Sequence, residues 1–376
     1  MKIGIDASRA FLYRRTGIEE YSYRVIRHLR ERLQKERVIL YVRARLSVWH
    51  GRPVFVIPEI DFEIPETWEV RGLWAPRFWT QVRLSLEMFL NPPDVLFVPA
   101  HTVPFICPRR TVVTIHGLEY EFSPESYGFW ERLYMRLSIR FSARAAGAVV
   151  AVSENTKRNL VTRYDIPESK ITVVHEGVSQ WSHESGASDR MRTWQTDHPY
   201  FFFVGRLEVR KNIIRMIEAF DAFKQKTGMS HQLLLAGKPG YGYEDIQERI
   251  SNSKHRADIV ELGYISESEK WIRLKGADML LFPSLYEGFG LPVIEAQSIG
   301  IPVITSDTSS LPEIAGGGAM LVDPLSSDRL AEAMEILVRD MAKRADIIEK
   351  ATRNARQFSW ERCASELANI MLSHHD

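Results

Sequence analysis

The stretch 279-MLLFPSLYEGFGLPVIEAQSIG-300 runs from an unbroken apolar segment, through a turn with two glycines, into an apolar helical pattern. An apolar run without alternation reads as a strand covered on both faces, the mark of a parallel sheet with crossover helices. Gly288 and Gly290 let bare backbone approach a ligand closely. Pro292, near the first helical position, starts a helix whose free N–H groups and positive dipole end favour an anion. Glu287 and Glu295 flank this loop and first helical turn, where both carboxylates can reach hydroxyl groups.

Working outward, the same strand signal recurs at KIGI (2–5), VILYV (38–42), VLFV (95–98), TVVTI (111–115), AVVAV (148–152) and ITVV (171–174). A second series follows at FFFV (201–204), QLLLA (232–236), DIVEL (258–262), MLLF (279–282) and PVIT (302–305), with helical patterns between. The polar, aperiodic stretch 179–199 separates the two series and reads as a linker. The expectation is an α/β chain with two doubly wound, Rossmann-like domains, residues 1–178 and 179–357, and a helical segment over 358–376. Ligands of this class bind at loops following the carboxyl ends of strands, here in a cleft between the domains.

A length of 376 residues suits two domains, and 45% hydrophobic with 26% charged residues argues against disorder. Residues 1–180 hold 26 Lys+Arg against 20 Asp+Glu, while the remainder holds 23 against 28, so the halves differ in sign. Cys107 and Cys363 sit in no Cys-x-x-Cys or Cys/His cluster, which offers neither a disulfide framework nor a zinc site. The opening MKIGIDASRA places Asp6 where an export signal needs an apolar core, and no apolar run is long enough to span a bilayer. The expected location is therefore the cytoplasm.

Other motifs also follow strands. In 205-GRLEVRKNI-213, Gly205, Arg206 and Lys211 lie between a strand end and a helix start. Cations there oppose the helix dipole, so an anionic ligand such as a diphosphate gives them a reason, with Asn212 and the first amides assisting; ordinary surface cations are the alternative. In 114-TIHGLEYEFSP-124, His116 is either a packing histidine or a site residue. In 14-RRTGIEEYSYRVI-26, Gly17 can open the first helix with amides facing a pyrophosphate, with Thr16 as N-cap and Glu19 at N3.

The Glu-x7-Glu segment enclosing GFGLP resembles the signature of family 4 of the retaining glycosyltransferases, which have the two-domain GT-B fold. The resemblance takes in nearly the whole chain. It implies that Glu287 and the loop Gly288, Phe289, Gly290 and Leu291 hold the donor sugar and its phosphates, and that Glu295 holds the ribose hydroxyls. Arg206 and Lys211 would neutralise the leaving nucleoside diphosphate, and His116 would position the transferred sugar. The family often carries a double glycine at the first turn; this chain has Thr16 and then Glu19 and Glu20. Gly237 and Lys238 in 236-AGKPGYGYEDI-246, and Tyr264 and Ile265 in 262-LGYISESE-269, resemble the base-pocket segments of mannosyltransferases of polysaccharide and O-antigen assembly. GDP-mannose is the donor this implies, or another nucleoside diphosphate sugar, with a saccharide or lipid-linked saccharide as acceptor. The C-terminal helix would cross back to the first domain.

Independently of the family, Arg132, Arg136, Arg140 and Arg144 fall four apart in 129-FWERLYMRLSIRFSARAA-146 and form one helical stripe. Such a stripe is a solvated face or a patch for anionic lipid on the inner side of a membrane. The chain has no Asp-x-Asp, so no acidic metal site is expected and cationic side chains would replace a metal. No Gly-x-Gly-x-x-Gly follows the first strand, against a dehydrogenase, and the modest net charge of +1 is against a nucleic-acid binder. Two readings stay open beside the transferase: a UDP-sugar-dependent enzyme or epimerase of the same fold, and a non-catalytic sugar-nucleotide binder.

Overall fold

The computed structural model describes residues 1–12, 15, 17–49, 52–75, 77–178 and 198–373. Thr16 and most of the expected linker lie outside them. The chain divides into two compact units, one of Met1–Leu118, Phe129–Gly177 and Ser359–Asp376, the other of Glu119–Gly128 and Val178–Phe358.

In the first unit, β1 (Lys2–Asp6), β2 (Arg37–Trp49), β3 (Arg52–Val56), β4 (Trp68–Trp74), β5 (Val95–Val98), β6 (Thr111–Ile115), β7 (Ala148–Ala151) and β8 (Ile171–Val173) form one sheet. Its order is β3-β2-β1-β5-β6-β7-β8, with β4 on β2. Every pairing is parallel except β2 with β3. β5 and β6 are buried along their whole length, as runs without alternation require. The chain end Trp360–Leu372, N-capped by Ser359, packs on the helix Gly17–Arg32; Trp360, Cys363, Ala364 and Leu367 are buried, and Tyr21 meets Trp360 edge-on at 6.0 Å.

The second unit holds β9 (Tyr200–Val204), β10 (Gln232–Ala236), β11 (Ile259–Gly263), β12 (Met279–Phe282), β13 (Val303–Ser306) and β14 (Met320–Val322). All pair in parallel in the order β11-β10-β9-β12-β13-β14. Phe201, Phe202, Phe203 and Leu280 are fully buried. Burying side chains of this size stabilises by roughly 1.5 to 3 kcal/mol each, which fixes β9 and β12 at the centre. The chain winds outward from β9 through β10 to β11, then returns to β12 on the other side of β9. That reversal is the topological switch point, where loops after adjacent strands part and leave a crevice.

One segment departs from a cut at residue 178. Glu119–Gly128, sequence-adjacent to His116, clusters with the second unit. Phe122 stacks on Tyr286 at 4.2 Å and 12°, and the charge of Glu119 acts on Arg210. An aromatic stack and an electrostatic attraction at long sequence separation leave no local signal. β4 and β14 were also unmarked: WEVRGLW is half-exposed, and MLV is too short to stand out.

Candidate active site

The loops after β9 and β12, strands adjacent at the switch point, carry the charged cluster. After β9 the chain makes a single 3-10 turn, Val209–Lys211, which sets Arg210 and Lys211 side by side. After β12 the turn brings Glu287 between them. Lys211 Nζ donates to Glu287 Oε1 at 2.5 Å, and Arg210 Nη1 lies 3.1 Å from Oε2. Arg210 Nη1 also donates to the Tyr286 carbonyl at 2.7 Å, and Nη2 to Glu208 at 2.8 Å.

Burial alone would raise the Glu287 carboxyl, but Lys211 and Arg210 outweigh it and hold the group down at about 2. The same burial pulls Lys211 below the usual lysine range against the attraction of Glu287. For Arg210 burial opposes the charge, yet Glu287 and Glu119 raise it above the ordinary arginine value. The result is a desolvated anion flanked by two cations, in a place where each charge acts over a low-dielectric path.

Arg206 is exposed, and among the described residues it makes no ion pair. Its stem passes over Gly240, whose added Cβ would meet Arg206 Cδ at 2.7 Å. Lys211 Cε runs beside Gly205, the residue before Arg206, while its ammonium meets Glu287. Gly237 has φ 154, and a Cβ there would collide with the Gly205 carbonyl; only glycine permits this approach of the β9 and β10 loops. Lys238 then projects over the Tyr264 ring, 4.8 Å from its centroid, with Ile265 half-buried next in sequence.

The glycine loop itself is buried. Gly290, φ 121, is the N-cap of the helix Leu291–Ser298, with Pro292 in the first turn. Ser310 Oγ lies 2.9 Å from the Glu287 carbonyl and 2.7 Å from that of Phe289, and the Glu287 amide donates to Ser309 Oγ at 3.1 Å. Phe289 meets Phe358 edge-on. Glu295, buried on that helix, receives the Lys270 ammonium at 2.6 Å on Oε1, and Glu267 takes the same ammonium at 2.8 Å. Asn212 is committed elsewhere: its amide donates to the carbonyls of Pro283 and Pro324, so it braces the turn instead of assisting a ligand.

In the first unit, both ring nitrogens of buried His116 meet acceptors, Nδ1 at 3.1 Å from Glu176 and Nε2 at 2.8 Å from the Pro99 carbonyl. Gly17 begins the helix Gly17–Arg32, but Glu19 and Glu20 already occupy its first turn and pair with Arg9 and Arg15. Carboxylates there satisfy the helix dipole that a phosphate would otherwise use. Beside this turn lies a cavity of about 1360 Å³, whose lining includes Ser8, Arg9, Arg15, Arg43 and Tyr134. Among the described residues no group of three or more His, Cys, Asp or Glu could hold a metal ion.

Two family models match the chain in tandem: Glycosyltransferase Family 4 over residues 15–180, and Glycosyl transferases group 1 over residues 187–354. The chain belongs to these glycosyltransferases. The curated O-antigen chain mannosyltransferase B of Escherichia coli is 25% identical to the glycosyltransferase, over 98% of this chain and 99% of its own length. A solved sucrose-phosphate synthase of Thermosynechococcus elongatus superposes with a TM-score of 0.72 at 17% identity, covering 98% of both chains. HepE of Anabaena, solved with UDP and glucose, superposes at 0.70 with 15% identity over 99% of each chain. At these identities the likeness gives the fold, which is GT-B.

Four residues of the glycosyltransferase's basic site were not singled out in its sequence: Arg210, Lys270, Ser309 and Ser310. Arg210 sits inside the run RKN, where nothing local marks it; its partner Glu287 is delivered from the loop after β12. Ser309 and Ser310 lie in an unremarkable turn after β13, the strand beside β12; only that adjacency reveals them. Ser309 adopts φ 58, a left-handed conformation rare outside glycine.

Proposed function

We propose that this glycosyltransferase is a retaining, metal-independent hexosyltransferase that moves mannose from GDP-mannose to a saccharide or lipid-linked saccharide. The observation that supports the reading is the buried cluster of Lys211, Arg210 and Glu287 at the switch point of the second unit, with exposed Arg206 on the same loop after β9. In this reading the diphosphate lies against Arg206 and Lys211, while Glu287 and the Gly288–Leu291 loop take sugar hydroxyls and phosphate oxygens. The sugar C1–O bond to the β-phosphate breaks, and charge develops on the departing phosphate next to the two cations. Fixed charges in a dry site stabilise such a transition state without reorganising. The acceptor hydroxyl oxygen bonds to C1 on the face the phosphate leaves, and its proton passes to a phosphate oxygen. No protein nucleophile is used, because Glu287 is tied to Arg210 and Lys211. His116 keeps a positioning role. Glu295, oriented by Lys270, holds the ribose, and Gly237, Lys238, Tyr264 and Ile265 line the base.

Mannose is favoured by the likeness to the Escherichia coli O-antigen mannosyltransferase. A UDP-sugar is the second reading, because HepE, of the same fold, was solved with UDP and glucose. A thermal-shift series with GDP-, UDP- and ADP-sugars, followed by NMR of the product's anomeric proton, tests both. Stabilisation by GDP-mannose and an α-linked product support the proposal; an inverted product, or response to none of the donors, overturns it.

A further inference from the structure

Two histidines meet in the first unit, and only one of them has a ring nitrogen to spare. His116 is buried, and each of its ring nitrogens faces an oxygen, Nδ1 that of Glu176 at 3.1 Å and Nε2 the Pro99 carbonyl at 2.8 Å. The Tyr21 ring closes its side, edge-on at 4.5 Å. Neither nitrogen of His116 is left to reach a substrate. Its contacts run instead to the loop after β5, where its backbone N–H also points at His101 Nδ1, 3.5 Å away. His116 therefore braces the segment from Pro99 to His101 at both ends.

His101 is the residue so held. Its φ of 49° is left-handed, and the Thr102 amide donates across it to the Ala100 carbonyl at 2.5 Å. A three-residue turn with positive φ at its centre is the rare and strained form. The His101 amide donates to the Thr114 carbonyl at 3.0 Å, which pins the turn to β6. Strain of this kind persists where the surroundings impose it, and it gathers at functional sites. The two imidazoles stand 5.2 Å apart at 75°, with His101 half-buried where His116 is enclosed. Among the described residues, the His101 ring makes its hydrogen bond through Nδ1, and its Nε2 has no partner.

The place of this nitrogen suits a ligand. The chain leaves β1 for β2 on one side, then returns to β5 on the other, so the loops after β1 and β5 part at a switch point of the first sheet. Ser8 and Arg9 from one loop and Thr102 from the other line the cavity of about 1360 Å³. Thr102 follows His101 in sequence, and the Arg9 charge acts on the His101 ring.

We propose that His101 is the imidazole that meets the substrate, its Nε2–H donating to an oxygen of the acceptor saccharide, and that His116 acts only through it. The identity of that ligand rests on the transfer reaction proposed above. Because Nδ1 accepts from the His116 amide, the proton of the neutral ring sits on Nε2. Burial, then His116 and Arg9 beside it, hold the ring well below the ordinary histidine value, so it is neutral at pH 7. Such a group orients an acceptor hydroxyl without taking its proton, in keeping with proton transfer to the departing phosphate.

The test compares His101→Gln with His101→Asn in the full chain. Transfer is followed with the sugar nucleotide that gives the largest thermal shift and with p-nitrophenyl glycosides of mannose, glucose, galactose and N-acetylglucosamine as acceptors. A glutamine amide places an N–H where Nε2 stands, whereas an asparagine amide reaches only the Nδ1 position but suits the left-handed turn better. Substrate contact predicts that His101→Gln keeps kcat/KM for the acceptor within about fivefold of the wild type, while His101→Asn loses about 30-fold. KM for the sugar nucleotide and the melting temperature stay at their wild-type values in His101→Asn. A residue needed only for its turn gives the reverse order, so asparagine equal to or better than glutamine would overturn the proposal. A nitrogen-15 spectrum with the His101 proton on Nδ1 would do the same. A wild type that transfers to none of the acceptors would overturn the transfer reading and this assignment together; an active wild type with the reversed order would overturn the assignment alone.

Discussion

Lys270 and Glu295 form a buried ion pair, Nζ to Oε1 at 2.6 Å, that joins the helix after β11 to the helix after β12. Burial by itself would lower the Lys270 ammonium, yet Glu295 and Glu267 raise it above the lysine range, so the ammonium is charged at neutral pH. Its geometry turns a carboxylate on a short helix into an oriented acceptor.

Replacing Lys270 by Met keeps the aliphatic stem and removes that orientation. A charged hydrogen bond contributes about 1.5 to 3 kcal/mol, so KM for the sugar nucleotide rises on the order of 10- to 100-fold. kcat changes much less, since the reacting centre is untouched. Steady-state kinetics separate the two, and a fall in kcat with constant KM would contradict the positioning role.

Glu287→Gln leaves Lys211 enclosed without its counter-charge and Arg210 with Glu208 alone. Breaking a buried pair in this way costs about 3 to 5 kcal/mol, which urea denaturation at neutral pH reads directly. Transfer is lost as well, while the fold measured by circular dichroism at low temperature persists.

The same carboxylate gives an acid dependence with a definite sign. Its folded pKa is held down at about 2, below the ordinary value of 4.5, so its stabilisation is fully present above 4.5 and lost as pH falls toward 2. The shift corresponds to roughly 3 kcal/mol. The stability gap between the wild type and Glu287→Gln should therefore narrow steadily over that window. A gap that stays constant down to pH 2 would mean that the pair is not charged.

Gly237→Ala tests the close approach of the β9 and β10 loops. With φ 154 and the Gly205 carbonyl in the way, any side chain must displace the loop that carries Arg206. The expected loss is more than about 1 kcal/mol of stability, together with the nucleotide-induced thermal shift. Alanine at Gly17, where an added Cβ meets nothing within 4 Å, serves as the control for glycine replacement as such.

Much of this was legible in the chain, for identifiable reasons. Runs such as VLFV and MLLF are buried on both faces, so residue type alone marks them as central strands. The Glu-x7-Glu segment is local, and its loop and helix form where the spacing requires. What stayed hidden depends on neighbours distant in sequence. Arg210 acquires its meaning only when β12 delivers Glu287, Asn212 is diverted by two proline carbonyls, and Phe122 is drawn to Tyr286. The exposed row on the helix Phe129–Ala145 illustrates the same limit: spacing revealed the arginines, but which face the helix buries decided that Trp130 and Tyr134 stand in solvent.

The central claim is that cations of the second unit hold a diphosphate, and calorimetric titration with GDP and UDP, each beside its parent nucleoside, tests it most directly. The account predicts that one diphosphate binds on the order of 100-fold tighter than its nucleoside, from charge-assisted contacts contributing about 1.5 to 3 kcal/mol each, and that Arg206→Ala erases most of this difference. Equal affinity for nucleoside and diphosphate, or an Arg206→Ala variant that keeps the full preference, would contradict it.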